Sequence, residues 1–269
     1  MTWVNRNTLQ SSVRLCRRYL VGVAATLLMI VSIENALALN KDEIQKIAYQ
    51  TTVVIAQGLE KGDLENRREF NPGSGVIVAR KGRTYYVLTA LHVVRTRDVV
   101  YGIRTSDGEV HSVDDVDTHD NIIPLGTESK TFPTTIQGYD LAIIKFESDH
   151  TYSVIPVGDS SKLKPGDKLF VSGYPEPSRT SSQRHHQVSE GTLTQILNSP
   201  SPDGGYSLRY TNLTKQGMSG GSVLNQNGEI VGIHGRGKGQ NGCGDLETGN
   251  RSSCGMEIMP ALTRLKTVF

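Results

Sequence analysis

Several things are scarce in this chain of 269 residues, and each scarcity removes a class of explanation. The apolar run from Leu20 to Ile33 has only 14 residues, short of the ~20 that a helix needs to cross a bilayer core. No CxxC or HxxxH pair accompanies the cysteines, so metal ligation finds no support in spacing. GRGKGQNG, from residue 235, resembles a phosphate-cradling loop only loosely. It lacks P-loop spacing and a following helix signal, which argues against nucleotide binding. A basic excess is missing too: the formal charge is +2, but the first 38 residues hold Arg6, Arg14, Arg17 and Arg18 against Glu34, leaving the rest near −1. That is no electrostatic footprint for nucleic acid.

What is present begins with a leader. The four arginines, the short apolar run and Ala36-Leu37-Ala38 form the three-part layout of an export signal, cleaved after Ala38; a retained anchor is the rival. Cleavage leaves 231 residues, enough for one large β domain or two small ones. Of three cysteines, Cys16 leaves with the leader and lies ahead of the apolar run, the wrong place for a lipid-modified cysteine. Cys243 and Cys254 bracket a polar, Gly-rich stretch. In an oxidising compartment a disulfide is expected there, free thiols being the alternative.

From Lys41, KDEIQKIAYQ reads as one short helix, with Asn40 as cap, Asp42 and Glu43 at its positive end, and Ile44, Ile47 and Ala48 on one face. Beyond it, helical periodicity is almost absent. TTVVIA, GVIVA, TYYVLTA, DVVYGIR, LAIIKF, KLFVSGY, YSLRYTN, GSVLN and EIVGIH recur between Gly, Pro, Asn and Asp, which indicates an all-β sandwich or barrel. Residues 147–165 read as the connection between two β units and 175–187 as a surface loop in the second, with His185 and His186 solvated. The run Asp114 to Asp120 lacks the alternating ligands and closing Glu of a calcium loop.

Three segments carry chemistry. TKQGMSGGSVLN sets Ser219 among Gly217, Gly220 and Gly221 just ahead of a strand. Acyl transfer needs an exposed hydroxyl and backbone N–H groups converging on an oxyanion, and a side chain at Gly217 would hinder the backbone that aims them. Taken alone, the string also fits a Gly-rich turn. A serine needs a base and the base an orienting acid. YYVLTALHVV places His92 at the end of an apolar strand, and QGYDLAIIKF places Asp140 at the start of another. Singly, each reads as an ordinary strand-end polar residue, as do His111 and Asp117; their conjunction is what distinguishes them.

The order His, Asp, Ser in these contexts resembles the trypsin/chymotrypsin family. TALH matches its Ala-Ala-His, YDLAIIKF its Asp-Ile-Ala-Leu-Leu, and GMSGG its Gly-Asp-Ser-Gly-Gly; the likeness runs from residue 53 to 235 and includes GSGVIV and VSGYP. It implies two six-stranded antiparallel β-barrels with the active site between them. By the same resemblance His92 takes the proton of Ser219, Asp140 fixes the imidazole tautomer, and the N–H groups of Gly217 and Ser219 form the oxyanion hole. Two departures stand out. Met218 occupies the place of the Asp that receives a new N-terminal ammonium in animal members, and no Ile-Val-Gly-Gly start is visible. The oxyanion hole is therefore expected to form without that pair.

Leu213 replaces the Asp that binds basic side chains in trypsin-like members, while Thr214 and His234 are similar to the pocket pair of bacterial glutamyl endopeptidases. Both are donors suited to a carboxylate, and a protonated His234 would add charge. A backbone-satisfied strand-end histidine, or an anionic patch made by Arg236 or Lys238, are the alternatives. The expectation is an exported serine endopeptidase, in periplasm or medium, acting on polypeptides without cofactor or metal. Its parts are residues 1–38 as signal, 39–52 as a helical segment, 53–155 as the first barrel and 156–269 as the second. A protease fold kept only for binding is the competitor. A Deg/HtrA chaperone-protease would carry a PDZ domain, for which the 33 residues after Arg236 are too few.

Overall fold

The computed structural model describes residues 38–63, 71–114, 116, 120–130, 135–177, 183–237, 243 and 252–267. Residues 1–37, Asp117, Lys238 and residues 244–251 of the Cys243–Cys254 loop lie outside the described residues. The expected helix is present as α1 (Lys41–Thr51). Its cap is reciprocal: Glu43 N–H donates to Asn40 Oδ1 at 3.0 Å and Asn40 N–H to Glu43 Oε2 at 2.9 Å, so two orphan donors are satisfied. Ile44 and Ala48 are buried beneath it.

The described residues then form β1 (Thr52–Gln57), β2 (Gly73–Lys81), β3 (Thr84–Thr89), β4 (Tyr101–Arg104), β5 (Val110–Val113), β6 (Ile122–Glu128), β7 (Ile136–Glu147), β8 (Lys168–Gly173), β9 (Gln187–Ile196), β10 (Leu208–Tyr210), β11 (Ser222–Leu224), β12 (Ile230–Arg236), β13 (Ser253–Glu257) and a closing helix α2 (Met259–Leu265). The architecture is the expected all-β, chymotrypsin-type pair. The second unit is a closed six-stranded barrel in the order β10-β13-β12-β11-β8-β9. The first departs from the implied closed six: it is a curled sheet of seven strands, β5-β4-β1-β2-β3-β7-β6, left open between β5 and β6. Pro124 in β6 has no N–H to donate, and the β6–β7 register slips between Pro124 and Gly126, features that belong to sheet edges.

Strand periodicity distributes the core over both faces. Along β7, Ala142, Ile144 and Phe146 face the interior of the first sheet with Ile55, Ile77, Tyr85 and Val87. Leu141 and Ile143 face the other way, into a core shared with Phe170, Leu224, Ile230 and Ile233 of the second unit and with Ile44 and Ala48 of α1. Because both faces are covered, the strands read as continuous apolar runs rather than as alternation. A third cluster, including Leu169, Val171, Leu208 and Val231, fills the closed barrel. Residues 147–165 do connect the units, anchored by Ile155 N–H on Ile77 O at 2.9 Å and by a bridge of Val157 to Ile230.

Among the described residues no helix is long and apolar enough to cross a membrane, and no group of three or more His, Cys, Asp or Glu is arranged to hold a metal. His186 is a correction. It is packed rather than solvated: its Nε2 bonds Ser172 Oγ at 2.8 Å, its ring meets Tyr49 and Tyr174 edge-on, and burial pushes its pKa down to about 4.

Cys243 and Cys254 form a disulfide, with Cα atoms 5.4 Å apart. Closing this short loop restricts the unfolded chain. Replacing both cysteines by Ala is expected to lower unfolding free energy by about 2–3 kcal/mol; equal urea midpoints for variant and wild type would contradict a structural role.

Candidate active site

The imidazole is placed by a change of pairing. β3 and β7 run antiparallel with Thr89 opposite Ala142, which brings the end of one strand beside the start of the other. Beyond Thr89 the chain makes a single 3-10 turn, Leu91–Val93, closed by Val93 N–H on Ala90 O at 3.1 Å and Val94 N–H on Leu91 O at 3.0 Å. Leu91, Val93 and Val94 are buried and anchor the turn, which leaves the His92 side chain 31 % exposed.

Asp140 lies below it, wholly buried. One carboxylate oxygen, Oδ1, accepts the backbone N–H of His92 at 2.9 Å, and Oδ2 accepts from His92 Nδ1 at 2.6 Å and from the Tyr206 hydroxyl. Burial alone would raise the pKa of Asp140; the charge of His92 and the donors from His92 and Tyr206 outweigh it and hold the carboxyl below its ordinary range. A carboxylate only accepts, so Nδ1 carries the proton and the neutral ring keeps its lone pair on Nε2.

Ser219 sits on a loop whose glycines are demanded by contact. Gly217 has φ +93°, and a Cβ there would run into the Arg184 guanidinium and lie 2.7 Å from Tyr174 O. At Gly220, with φ +85°, a Cβ would overlap Ser74 O and Thr89 Oγ1. Ser74 stitches this loop to the first sheet: its N–H donates to Ser219 O and its hydroxyl to Gly217 O, both at 2.8 Å, while Tyr174 N–H donates to Ser74 Oγ at 2.8 Å. Gln216 O accepts from Glu176 N–H at 2.7 Å. A trans peptide points its N–H opposite its carbonyl, so this bond turns the Gly217 N–H away from Glu176. The Ser219 hydroxyl donates to Gly235 O at 2.9 Å, not to the imidazole.

His92, Gly217, Ser219, Thr214 and His234 line one cleft of about 520 Å³, joined by Lys215 and Gln216. His234 is buried at its floor with Nδ1 2.7 Å from Tyr210 Oη. Burial, then the nearby charge of His92, push its pKa down to about 3, against the pull of the Cys254 carbonyl. The expected protonated His234 is thus corrected: the ring is neutral in the free protein at any ordinary pH. The Thr214 hydroxyl is 3.1 Å from Ser253 Oγ, whose own proton goes to Asn212 O at 2.8 Å, so Thr214 is the donor of that pair. Arg236 is not open to bind an anion. It is bonded to Asp203 at 2.6 Å and lies over the Tyr206 ring. Leu213 is 76 % exposed and lines no part of the cleft. Tyr206, Ser74 and Arg184 escape sequence reading; only the Gly-Ser-Gly string around Ser74 offered a signal.

Comparison with known proteins bears on this geometry. Residues 73–233 match the trypsin-like peptidase domain. The chain is 34% identical over 104 residues to exfoliative toxin A of Staphylococcus aureus, covering 36% of this chain and 33% of that protein. It is 31% identical over 163 residues to a probable periplasmic serine endoprotease, DegP-like, of Marinomonas sp., covering 60% and 29%. With the serine protease Do-like HtrA of Bacillus subtilis it shares 29% identity over 181 residues, covering 66% and 36%. The matches thus span about a third of these relatives' lengths. Among solved structures it is similar in fold to the HtrA-type protease AlgW with a tripeptide, at a TM-score of 0.57 and 17% identity, over 86% of this chain and 64% of that one.

The depressed pKa of Asp140 makes stability depend on pH. The folded state binds fewer protons than the unfolded one, so the contribution is full above the unfolded carboxylate range, ~4, and is lost as pH falls through the lower folded value. Thermal melts are expected to decline below pH ~4 in the wild type and to decline less steeply in Asp140→Asn. Superimposable pH dependences would show that this carboxylate is not held ionised.

Proposed function

The chain belongs to the trypsin-like peptidase family, and from that premise we propose that it is a serine endopeptidase. In this reading Ser219 is the nucleophile, His92 the general base and Asp140 the residue that orients it. The observation that carries the proposal is the buried Asp140 carboxylate, bonded to both the backbone and Nδ1 of His92, with Nε2 left to face a cleft that Ser219 also lines. Rotation of the Ser219 hydroxyl from Gly235 O to Nε2 would deliver its proton to the base as the oxygen attacks a peptide carbonyl. The N–H groups of Gly217 and Ser219 would stabilise the oxyanion; its collapse would break the C–N bond as His92 passes the proton to the leaving amine, and water, deprotonated by His92, would then release the acyl group as the acid while Ser219 regains its proton.

The same reading includes cleavage of a leader after Ala38 and residence in periplasm or medium, consistent with a leader-like first segment and a relative named periplasmic. It also includes the division of the remaining chain near residues 155 and 156 into two barrels, and polypeptides as substrates. The side chain before the scissile bond is acidic: Thr214, Lys215 and His234 meet in the cleft, and a carboxylate is the group that the Lys215 ammonium would draw in, the Thr214 hydroxyl and the His234 N–H turning to it from Ser253 Oγ and the Cys254 carbonyl. The Ser219 hydroxyl turned to Gly235 O favours a second reading, a binding module that does not turn over.

Fluorophosphonate labelling of the purified chain, with peptide mapping, separates the two. Labelling at Ser219 that disappears in Ser219→Ala is expected; folded protein that takes no label would leave the binding module standing.

For specificity, His234→Leu should lower kcat/KM after Glu about tenfold or more while sparing small neutral residues. Equal losses on all substrates would exclude the pocket role.

A further inference from the structure

The Asp140 carboxylate draws a donor from the opposite unit. The loop between β9 and β10 docks on the start of β7 through Gly204 N–H to Ile136 O at 2.7 Å, Asp140 N–H to Gly204 O at 2.9 Å and Ile136 N–H to Asp203 Oδ1 at 2.9 Å. Tyr206, the last residue of this clip, is wholly buried and gives its hydroxyl to Asp140 Oδ2. It is itself braced. The Arg236 guanidinium lies 4.6 Å from the ring centroid and is tied at 2.6 Å to Asp203 Oδ2, so one carboxylate holds both the clip and the cation that covers the ring. Gly235 leaves the path open: a Cβ there would overlap Tyr206 Cε1 and lie 2.8 Å from its hydroxyl oxygen.

We infer that Tyr206 is a positioning residue for the His92–Asp140 pair, supplying from the second barrel the hydroxyl that fixes the carboxylate beneath the imidazole. The catalytic consequence rests on the serine-peptidase reading above; the geometric one does not. A carboxylate removed from water needs each oxygen met by donors. Without the Tyr206 hydroxyl, Oδ2 keeps His92 Nδ1 alone, and the carboxylate is free to rotate or admit water, which loosens the tautomer and aim of the ring. The ring of Tyr206 packs in the shared core, so the hydroxyl must be tested apart from the packing.

Tyr206→Phe removes one oxygen and keeps the ring under Arg236. In the purified full chain, kcat is expected to fall about 10- to 100-fold with KM within about twofold, at an unchanged far-UV spectrum. The downfield proton resonance expected for His92 Nδ1–H in the wild type should broaden or vanish in the variant through faster exchange. Tyr206→Ala with Gly235→Ser, which moves a hydroxyl to the vacated position, should restore both readouts in part. An unaltered resonance together with kcat within about twofold in Tyr206→Phe overturns the inference. Should the wild type take no fluorophosphonate label, the peptidase reading fails, and the resonance alone still decides whether Tyr206 holds the pair.

Discussion

A carboxylate with no access to water is the constraint around which this molecule is arranged. An ionised group in such surroundings is costly unless donors replace its hydration, and Asp140 has three: a backbone N–H, an imidazole N–H and a phenol. They come from distant stretches of chain. His92 is delivered by the turn after β3, and Tyr206 by a clip from the other unit that also bonds the backbone at Ile136 and Asp140. Satisfying one side chain therefore fixes the end of β3, the start of β7 and the approach of the second barrel. The shared core of Leu141, Ile143, Phe170 and Ile233 sets the two units against each other; the carboxylate sets their register at the cleft.

The Ser219 loop follows a similar logic with a different fastener. Met218 is buried in the apolar filling of the second barrel, where the ammonium-binding Asp of animal members would need a charged partner. The backbone around it is held instead by hydroxyl, amide and guanidinium groups. Ser74 bonds Gly217 O and Ser219 O, Glu176 N–H takes Gln216 O, and Arg184 packs where a Gly217 side chain would stand. All of these groups belong to residues inside the chain, and none of them could be read from the sequence around Met218.

What was legible divides along physical lines. Strands with both faces buried, such as LAIIKF and EIVGIH, announce themselves through apolar content, and the nine such runs correspond to β1–β4, β7, β8 and β10–β12. The four missed strands are edge-like or polar. β5 is VHSV, β6 is broken by Pro124 and Gly126, β9 is QVSEGTLTQI, and β13 is SCGME. In β5, β6 and β9 backbone pairing more than side-chain burial decides the conformation, whereas β13 is buried but has no β-branched residue to announce it. His92, Asp140 and Ser219 were readable because each sits in a local string. Tyr206 was not, since its partner is 66 residues away and nothing in YSLRYTN distinguishes a hydroxyl that reaches a carboxylate from one that does not. The open first sheet and the packed His186 were missed because closure and side-chain burial are properties of the assembled fold.

The misjudged charge of His234 shows how the site separates its ionisable groups. Burial disfavours charge on both Asp140 and His234. Asp140 remains ionised because its neighbours are donors and a ring that can carry positive charge. His234 is pushed to about 3 by burial first and then by that same ring, whose positive charge repels it, with only the Cys254 carbonyl pulling the other way. The two environments drive titration in useful directions. The carboxylate stays available to stabilise an imidazolium, and His234, which would otherwise compete for the positive charge near the cleft, stays neutral. A substrate carboxylate entering beside His234 would meet neutral dipoles and the Lys215 ammonium rather than a buried cation, so its recognition would depend on the placement of donors more than on net charge.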